Sequence, residues 1–304
     1  MAPMRAECYL FDSIIPWHIK RQSPKTHRIM LPAPPPPHPP GSNTPSGHTP
    51  SPALTLVHRV ETHAFRAWPA PEVQVQGDWL LRGAGGFTKR ANSANAAVPQ
   101  AGFGGVQAAA EAFYARRALP AVFRLTPLAG PEADAALAAA GYEAFDPSRV
   151  MARPLPKSPP PCPPGVDVTD RPGAGWLEGF ARANGVDGRH HRMHHAMVRA
   201  IAAPAGFATL REAGVAIGFG LAVCEDGLTG FYDIVISPAH RRRGHGRTLM
   251  QGLLAWARDQ GATEAYLQVR DGNAGARQLY AGLGFADLYR YHYRVPQPGR
   301  IAIV

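Results

Sequence analysis

The chain has 304 residues, 45% of them hydrophobic, which is enough for two ordinary domains with sizeable cores. No run of eighteen apolar residues occurs, which excludes a membrane-spanning helix, and the three widely spaced cysteines exclude a zinc pattern or a disulfide framework and favour a reducing cytoplasm. The net charge of +10 permits nucleic acid, an acidic protein or a polyphosphate cofactor as partner, although an arginine-rich composition alone would give the same charge.

Residues 1–52 are predicted to form a disordered, proline-rich tail. A run of prolines within positions 34–40 leads into a mixture of Gly, Ser, Thr and Pro. Such a segment has too little apolar surface to offset the entropy that it would lose on ordering. The apolar patch at residues 8–17 is interrupted by Asp12 and precedes no clear cleavage site, so a signal peptide is not expected.

The segment 53–155 is predicted to be a first domain that mixes helices with strands. Apolar residues at helical spacing predict helices, and short β-branched or alternating runs predict strands. In chain order these are a helix at 54–66, strands at 73–76 and 79–82, extended chain at 88–93, a helix at 105–118, a strand at 122–125, a helix at 131–140 and one or two strands within 142–155.

A stiff, proline-rich linker at residues 156–165 separates this domain from a second one at 166–304. The second domain ends in a strand in which every other residue is apolar or aromatic, a period of two that indicates a half-buried strand. Its predicted elements are helices at 176–183 and 192–202, strands at 207–211 and 215–224, a strand–turn–helix at 233–257, a strand at 265–269, a helix at 274–283 and the final strand at 288–295.

A basic, glycine-containing turn between a strand and a helix organises the second domain. The β-branched residues 234–236 predict a buried strand that Pro238 ends. Gly244 and Gly246 permit a close approach to the backbone, and apolar residues return at helical spacing after Thr248. A helix that begins at such a turn presents free N–H groups and the positive end of its dipole to an anion such as phosphate.

The two domains share short sequence matches and predicted elements at the same spacing, which favours an internal duplication over coincidence. Gly141 and Gly284 each follow a predicted helix, and a predicted strand lies equally far upstream of each glycine. When Gly141 is aligned with Gly284, the basic turn falls opposite residues 98–104, where the glycines are displaced by one position. Tyr280 falls opposite Leu137 in the same alignment. The first domain therefore keeps the spacing of the predicted strand, helix and glycine, and it lacks the polar residues of the basic turn and the tyrosine.

The second domain resembles the GNAT superfamily of acyl-CoA-dependent N-acyltransferases. It carries the signature Arg/Gln-x-x-Gly-x-Gly/Ala as Arg241-Arg-Arg-Gly244-His-Gly246, followed at the spacing of that superfamily by Asn273, Tyr280 and Gly284-Phe285. The signature alone is weakly specific, whereas the ordered series is strongly specific, and it covers residues 166–295. The resemblance implies an α/β (α+β) fold with a mixed central sheet and flanking helices, built as two tandem halves of which the first is degenerate.

The resemblance also implies acetyl-CoA as a co-substrate and no metal. The N–H groups of residues 243–246 would surround the pyrophosphate, and the pantetheine arm would pair with the strand before the turn, where that strand splays from the one at 265–269. The cofactor-binding residues that follow are Val235, Ile236, Ser237, Arg241, Arg242, Arg243, Gly244, His245, Gly246, Arg247 and Asn273.

The resemblance makes Tyr280 the acid that protonates the departing thiolate, with an ordinary buried aromatic as the alternative. Asn273 is expected to lie near the cofactor, to cap a helix, or to do both. Because an amine must be neutral to attack, Asp233 is the candidate base, and a water chain without a dedicated base is the open alternative. Glu225, in a predicted hairpin turn, is expected to be solvated.

A histidine cluster at residues 190–195 stands outside these assignments. His190 and His194, like His191 and His195, have the i, i+4 spacing that on a helix can bind zinc. No third ligand is near in sequence, so a surface or substrate-lining helix is favoured over a metal site.

The sequence thus predicts an acyl-CoA-dependent N-acyltransferase that acts on a primary amine of a small molecule or a protein, as a monomer or homodimer. Three alternatives stay open: a different acyl group on the same scaffold, a non-catalytic acyl-CoA sensor, and a basic nucleic-acid-binding protein. The last ranks lowest because the positive charges do not gather into a recognisable binding module.

Overall fold

The computed structural model describes residues 51–157, 161–186 and 188–297. The predicted tail lies almost wholly outside these residues, as does the middle of the predicted linker. The first half contains α1 (Pro52–Ala67), β1 (Glu72–Gln76), β2 (Trp79–Gly83), β3 (Ala94–Ala96), α2 (Val106–Ala115), β4 (Phe123–Leu125), α3 (Pro131–Ala139) and β5 (Tyr142–Pro154). The second half contains β6 (Val166–Thr169), α4 (Ala174–Asn184), α5 (Gly188–Arg199), β7 (Ala205–Glu212), β8 (Val215–Glu225), β9 (Leu228–Ile236), α6 (His245–Asp259), β10 (Glu264–Arg270), α7 (Ala274–Ala281) and β11 (Ala286–Pro296).

The element boundaries follow local chemistry. Ser51 caps α1 by accepting a hydrogen bond from the Leu54 N–H, and Pro52 occupies the first helical turn, where its missing N–H costs nothing. The predicted extended chain at 88–93 is wrong, because these residues form turns and β3 begins only at Ala94. The four-residue strand β6 was not predicted. No helix in the described ranges is both long and apolar enough to cross a bilayer.

The eleven strands of the described residues belong to one mixed sheet, flanked by helices, in the order β1-β2-β3-β4-β11-β5-β10-β9-β8-β7-β6. Strand β5 of the first half lies between β11 and β10 of the second half and is antiparallel to both. Met151, for example, is opposite Leu267 on one side and Asp287 on the other. The backbone hydrogen bonds of β5 therefore join the two halves. Strand β5 lies beside β10, and the strand pair β9–β10 forms the candidate site described below.

Buried side chains form two clusters on this sheet. One contains Trp68 of the first half together with Phe180 and Tyr232 of the second half. The other lies under α6 and contains Leu253 and Leu267. Strand β9 contributes to both clusters, so its two faces are covered, as the run of β-branched residues predicted.

Two glycines at equivalent positions adopt the same backbone conformation. Gly141 follows α3 at φ +83° and Gly284 follows α7 at φ +85°, and each leads into a strand of the central sheet. A left-handed glycine after a helix is a common way to end the helix. The predicted duplication and the division at residues 156–165 stay predictions.

A buried ion pair gives a first testable prediction. Arg124 Nη1 lies 2.5 Å from Glu61 Oε2, and the two side chains are 2% and 1% exposed. Glu61→Ala is expected to lower the free energy of unfolding by about 3–5 kcal/mol, because it leaves a buried guanidinium without its partner. Urea denaturation measures this. Glu72→Ala, which removes the exposed partner of Arg117, is the control and should cost about 0–1 kcal/mol. Equal effects of the two variants would contradict the prediction.

Candidate active site

A slot opens between two neighbouring parallel strands near the middle of the sheet. In the described chain, β9 and β10 pair only from Leu228 and Glu264 as far as Phe231 and Leu267. On its other edge, β9 stays paired with β8 up to Ile236. The two strands therefore separate beyond Phe231 and Leu267, and the family resemblance implied a splay of this strand pair.

A β-bulge in β9 lies at the point of separation. Phe219 is opposite Val235 and Leu221 is opposite Tyr232, so the single residue between them on β8 faces two residues on β9. Asp233, one of these two, has φ +53°, an unusual conformation for a residue other than glycine. Bulges of this kind bend a strand and re-aim side chains.

The slot adjoins a cleft that lies beside the basic turn. Both spaces are bordered by Ile234, Asn273, Ala276 and Tyr280. The slot is further lined by Arg90, Ser148, Tyr232, Asp233, Gln268, Arg270 and Tyr291. The cleft is further lined by Ile236, His240, Arg241, Arg242, Gly244, His245, Gly246, Arg247, Gly275 and Leu279.

The turn at the start of α6 carries backbone N–H groups that are unpaired among the described residues. Gly244 is the N-cap at φ +85°, and a Cβ atom on Gly246 would lie 3.1 Å from the Leu279 side chain, so α6 and α7 approach closely there. Within the described chain, the N–H groups of residues 243–246 donate to no protein acceptor. Unpaired N–H groups at a helix N-terminus bind phosphate groups well.

The arginines of the turn have different partners. Arg241 Nε donates to the Ile236 carbonyl oxygen at 2.9 Å, Arg243 Nη2 lies 3.1 Å from Glu212 Oε1, and Arg247 Nη1 donates to the Gly282 carbonyl oxygen at 3.0 Å. Arg243 does not border the cleft. Arg242 is exposed and borders the cleft.

The strand before the turn presents alternate residues to the cleft. Ile234 and Ile236 border it, whereas the Val235 side chain is buried on the opposite face of the sheet. Ser237 N–H donates to the Ile217 carbonyl oxygen at 2.8 Å. Of the three predicted strand residues, Val235 could therefore meet a ligand in the cleft only through its backbone.

Tyr280 lies where the slot and the cleft meet. Its side chain is buried against Phe285, and burial raises the pKa of its hydroxyl above the usual range. Among the described residues, the hydroxyl has no hydrogen-bond partner. Asn273 caps α7 by accepting a hydrogen bond from the Ala276 N–H at 3.1 Å, and it also borders both spaces. The cap expected of Asn273 is confirmed, and its place near the cofactor stays a prediction.

The two candidate carboxylates have different surroundings. Asp233 borders the slot, and its Oδ2 lies 2.6 Å from His194 Nε2. Glu225 lies at the other end of β9 from the turn, pairs with Arg66 at 2.6 Å and borders neither space. The geometry therefore favours Asp233 over Glu225 as the candidate base, because only Asp233 of the two borders the slot.

The histidine cluster lies on helix α5. The surface alternative is wrong for the two members that are buried, and the substrate-lining alternative stays a prediction. His190 and His194 are buried, whereas His191 and His195 lie on the outer part of the helix with ring centroids 4.2 Å apart. Over residues 51–157, 161–186 and 188–297, no group of three potential ligands is placed to hold a metal ion.

Several slot residues were not predicted. The Arg90 guanidinium lies 5.5 Å from the centroid of the Tyr232 ring, and Tyr291 donates a hydrogen bond to Gln268 Oε1 at 3.0 Å. Arg90 comes from the first half, whereas Tyr232, Gln268 and Tyr291 come from β9, β10 and β11 of the second half. No spacing rule connects them, because only the tertiary fold brings Arg90 to β9. The i, i+4 spacing of the histidines was a signal for His194, but it did not indicate which face of the helix is buried.

Comparison with known proteins points to acetyltransferases. Residues 56–294 match a family model described as "Probable histone acetyltransferase Rv0428c C-terminal". The "Uncharacterized N-acetyltransferase YobR" of Bacillus subtilis (strain 168) is 29% identical over 252 residues, which cover 79% of this chain and 98% of that protein. Streptothricin acetyltransferase of Streptomyces lavendulae is 43% identical over 54 residues, 18% of this chain and 29% of that protein.

Solved structures share the fold. A GCN5-related N-acetyltransferase from Kribbella flavida aligns with a TM-score of 0.58 at 20% identity, covering 81% of this chain and 97% of that chain. A GCN5-related N-acetyltransferase from Sphaerobacter thermophilus aligns with a TM-score of 0.56 at 18% identity, covering 81% of this chain and 90% of that chain.

Proposed function

The chain belongs to the acetyltransferase family of that model, within the GNAT superfamily, and on this premise we propose that it transfers an acetyl group from acetyl-CoA to a primary amine by direct attack. The observation that carries the proposal is that the cleft at the turn of α6 adjoins the slot between β9 and β10, with Tyr280 bordering both.

The residues of the turn fit the pyrophosphate of coenzyme A. The N–H groups of residues 243–246 are unpaired within the described chain, and Arg241, Arg242 and Arg247 line the same cleft. The edge of β9 beyond Phe231 is not paired with β10, so it is open to the amide groups of a pantetheine arm. Acetyl-CoA would supply the acetyl thioester, and these contacts would place that thioester in the slot.

Tyr280 is proposed as the general acid. A tyrosine hydroxyl has an ordinary pKa of about 10 and is protonated at neutral pH, and Tyr280 borders both the slot and the cleft, so it can donate a proton when negative charge develops on the leaving sulfur. The C–N bond forms and the C–S bond breaks, and the phenolate that remains takes up the proton that the attacking nitrogen loses as it becomes the amide.

Asp233 is proposed to accept a proton from the incoming ammonium group. Breaking one N–H bond of the ammonium leaves a neutral amine able to attack, and the proton forms an O–H bond on the carboxylate before it passes to solvent. Asp233 supports this role because it borders the slot that Tyr280 also borders. A water chain in the slot is the alternative that stays open.

The first half is proposed to complete the acceptor side of the slot. Arg90 and Ser148, both from residues 53–155, border the slot beside Asp233. The names of similar proteins span different acceptors, including streptothricin and the alanine of ribosomal protein bS18. The proposal therefore specifies the primary amine and leaves its carrier to experiment.

A panel of amines tests the proposed function. Small amines, amino acids, aminoglycoside-type antibiotics and peptides with a free N-terminus or a lysine are each incubated with acetyl-CoA. Release of free CoA thiol is then measured together with the mass of the acceptor. We expect one class to give thiol release and a matching acetyl mass increase. Binding of acetyl-CoA without turnover on any acceptor would favour a non-catalytic sensor, and a faster reaction with another acyl-CoA would revise the acyl group.

A further inference from the structure

His194 makes a buried contact for which the proposed reaction has so far no use. Its Nε2 atom lies 2.6 Å from Asp233 Oδ2, and the two side chains are 0% and 4% exposed. The contact joins helix α5 to the bulge of β9, 39 residues apart in the chain. A hydrogen bond made in such surroundings is stronger than one in water, and losing either partner is costly.

Aromatic rings fix the orientation of His194. Its ring stacks on Phe180 with centroids 4.4 Å apart and on Trp176 at 5.9 Å, and the Phe87 ring meets it edge-on at 5.6 Å. Packed rings on three sides restrict rotation of the imidazole about its side-chain bonds. The Nε2 atom is thus held toward Asp233 before any substrate arrives.

The second ring nitrogen indicates which tautomer is present. His194 Nδ1 is buried and has no hydrogen-bond partner among the described residues. A proton on Nδ1 alone would leave that buried donor unsatisfied and would bring two acceptors, Nε2 and Asp233 Oδ2, within 2.6 Å of each other. The proton therefore sits on Nε2, and His194 donates the hydrogen bond to Asp233.

The carboxylate that receives this bond has one oxygen left for a ligand. Asp233 borders the slot, and within the described chain its Oδ1 accepts no hydrogen bond. Its backbone has φ +53° in the bulge, an unfavourable conformation that recurs at functional sites. One oxygen is therefore held by His194 on the buried side, while the residue itself faces the acceptor space.

We propose that His194 is a positioning residue for the reaction: its Nε2–H holds Asp233 Oδ2 so that Oδ1 takes the proton from the acceptor ammonium. The N–H bond of the ammonium breaks, an O–H bond forms on Asp233, and His194 keeps its own proton throughout. This inference rests on the proposed function, and it assigns to helix α5 the orientation of the base rather than a metal site.

A pair of substitutions separates the hydrogen bond from the packing. His194→Phe keeps a ring among Phe180 and Trp176 but removes the donor, whereas His194→Gln keeps an N–H donor and loses the ring. We expect His194→Phe to lower kcat roughly 10- to 100-fold, as for groups that orient a functional side chain, without changing the affinity for acetyl-CoA. His194→Gln should recover part of the lost kcat. The control is His191→Phe on the outer part of the same helix, which should leave kcat unchanged.

A double-mutant cycle with Asp233→Asn shows whether His194 acts through Asp233. In the Asp233→Asn background, His194→Phe should cause no further loss of kcat, because the carboxylate it orients is gone. The same fold loss in both backgrounds, or no loss in either, overturns the proposal. If Asp233→Asn alone keeps full turnover, the proposed base is wrong as well, while turnover by the unchanged protein shows that the acetyltransferase assignment stands.

A crystal structure of His194→Phe gives a readout that does not depend on turnover. We expect the Asp233 carboxylate to leave its position in the unchanged protein, because no other described residue binds Oδ2. An Asp233 side chain that keeps its position in the variant overturns the positioning role, even if no acceptor has been found.

Discussion

Gly244→Asp is expected to weaken acetyl-CoA binding by roughly a thousandfold relative to Gly244→Asn. The Asp carboxylate would lie at the N-cap of α6, where the pyrophosphate of coenzyme A is proposed to sit. Two like charges about 4 Å apart near a protein surface repel by about 4 kcal/mol, and 1.4 kcal/mol corresponds to a tenfold change in affinity. Adding Gly246→Asp should remove detectable binding altogether.

Asn is the matched control for this substitution. It has the shape of Asp without the charge, and both residues tolerate the left-handed conformation that Gly244 adopts at φ +85°. Nothing lies within 4 Å of a Cβ atom built at this position, so neither side chain is forced into a neighbour. Isothermal titration calorimetry measures both affinities. Equal affinities for Asp and Asn would mean that no phosphate group binds at this turn.

Tyr280→Phe is expected to lower kcat by about 100- to 10,000-fold, the range for loss of a general acid. The affinity for acetyl-CoA should stay nearly unchanged, because Phe keeps the ring that packs against Phe285. Single-turnover measurement of thiol release gives the rate, and calorimetry gives the affinity.

The control for Tyr280→Phe is Tyr142→Phe. The Tyr142 hydroxyl donates to Glu111 Oε1 at 2.9 Å, and the residue borders neither the slot nor the cleft, so its loss should leave turnover within a few-fold of the unchanged protein. Turnover by Tyr280→Phe equal to that of the control would leave Tyr280 as a packing residue, the alternative already weighed from the sequence.

Features set by neighbours in the chain could be predicted from the sequence. The strand, glycine turn and amphipathic helix from β9 to α6 are local, and so are the N-cap at Asn273 and the alternation of β11, in which Tyr289, Tyr291 and Tyr293 are all buried. Each follows from side-chain period or capping chemistry over a few residues. The splay of β9 from β10 was expected from the family resemblance.

Features that depend on which strands become neighbours could not be predicted. The insertion of β5 between β10 and β11 leaves no local pattern, since a strand of either half has the same period of two. Arg90 reaches the slot only because the two halves share one sheet. No sequence pattern predicts the bulge at Asp233, because Asp has no strong preference for a strand bulge.

The direction in which a charged side chain points was the property most easily misassigned from the sequence. A basic turn suggests that every arginine faces the ligand, yet Arg243 pairs with Glu212, which lies at the end of β7. The distant partner decides the direction of a long side chain, and its position is a tertiary property. The backbone N–H groups were the safer prediction, because the start of a helix fixes their direction.

The most direct measurement of the central claim is a crystal structure of the protein with coenzyme A. We predict that the pyrophosphate oxygens accept hydrogen bonds from the N–H groups of residues 243–246, that the pantetheine arm lies along β9 beyond Phe231, and that the sulfur lies near the Tyr280 hydroxyl. A coenzyme bound elsewhere, with the turn of α6 free of phosphate, would contradict the account.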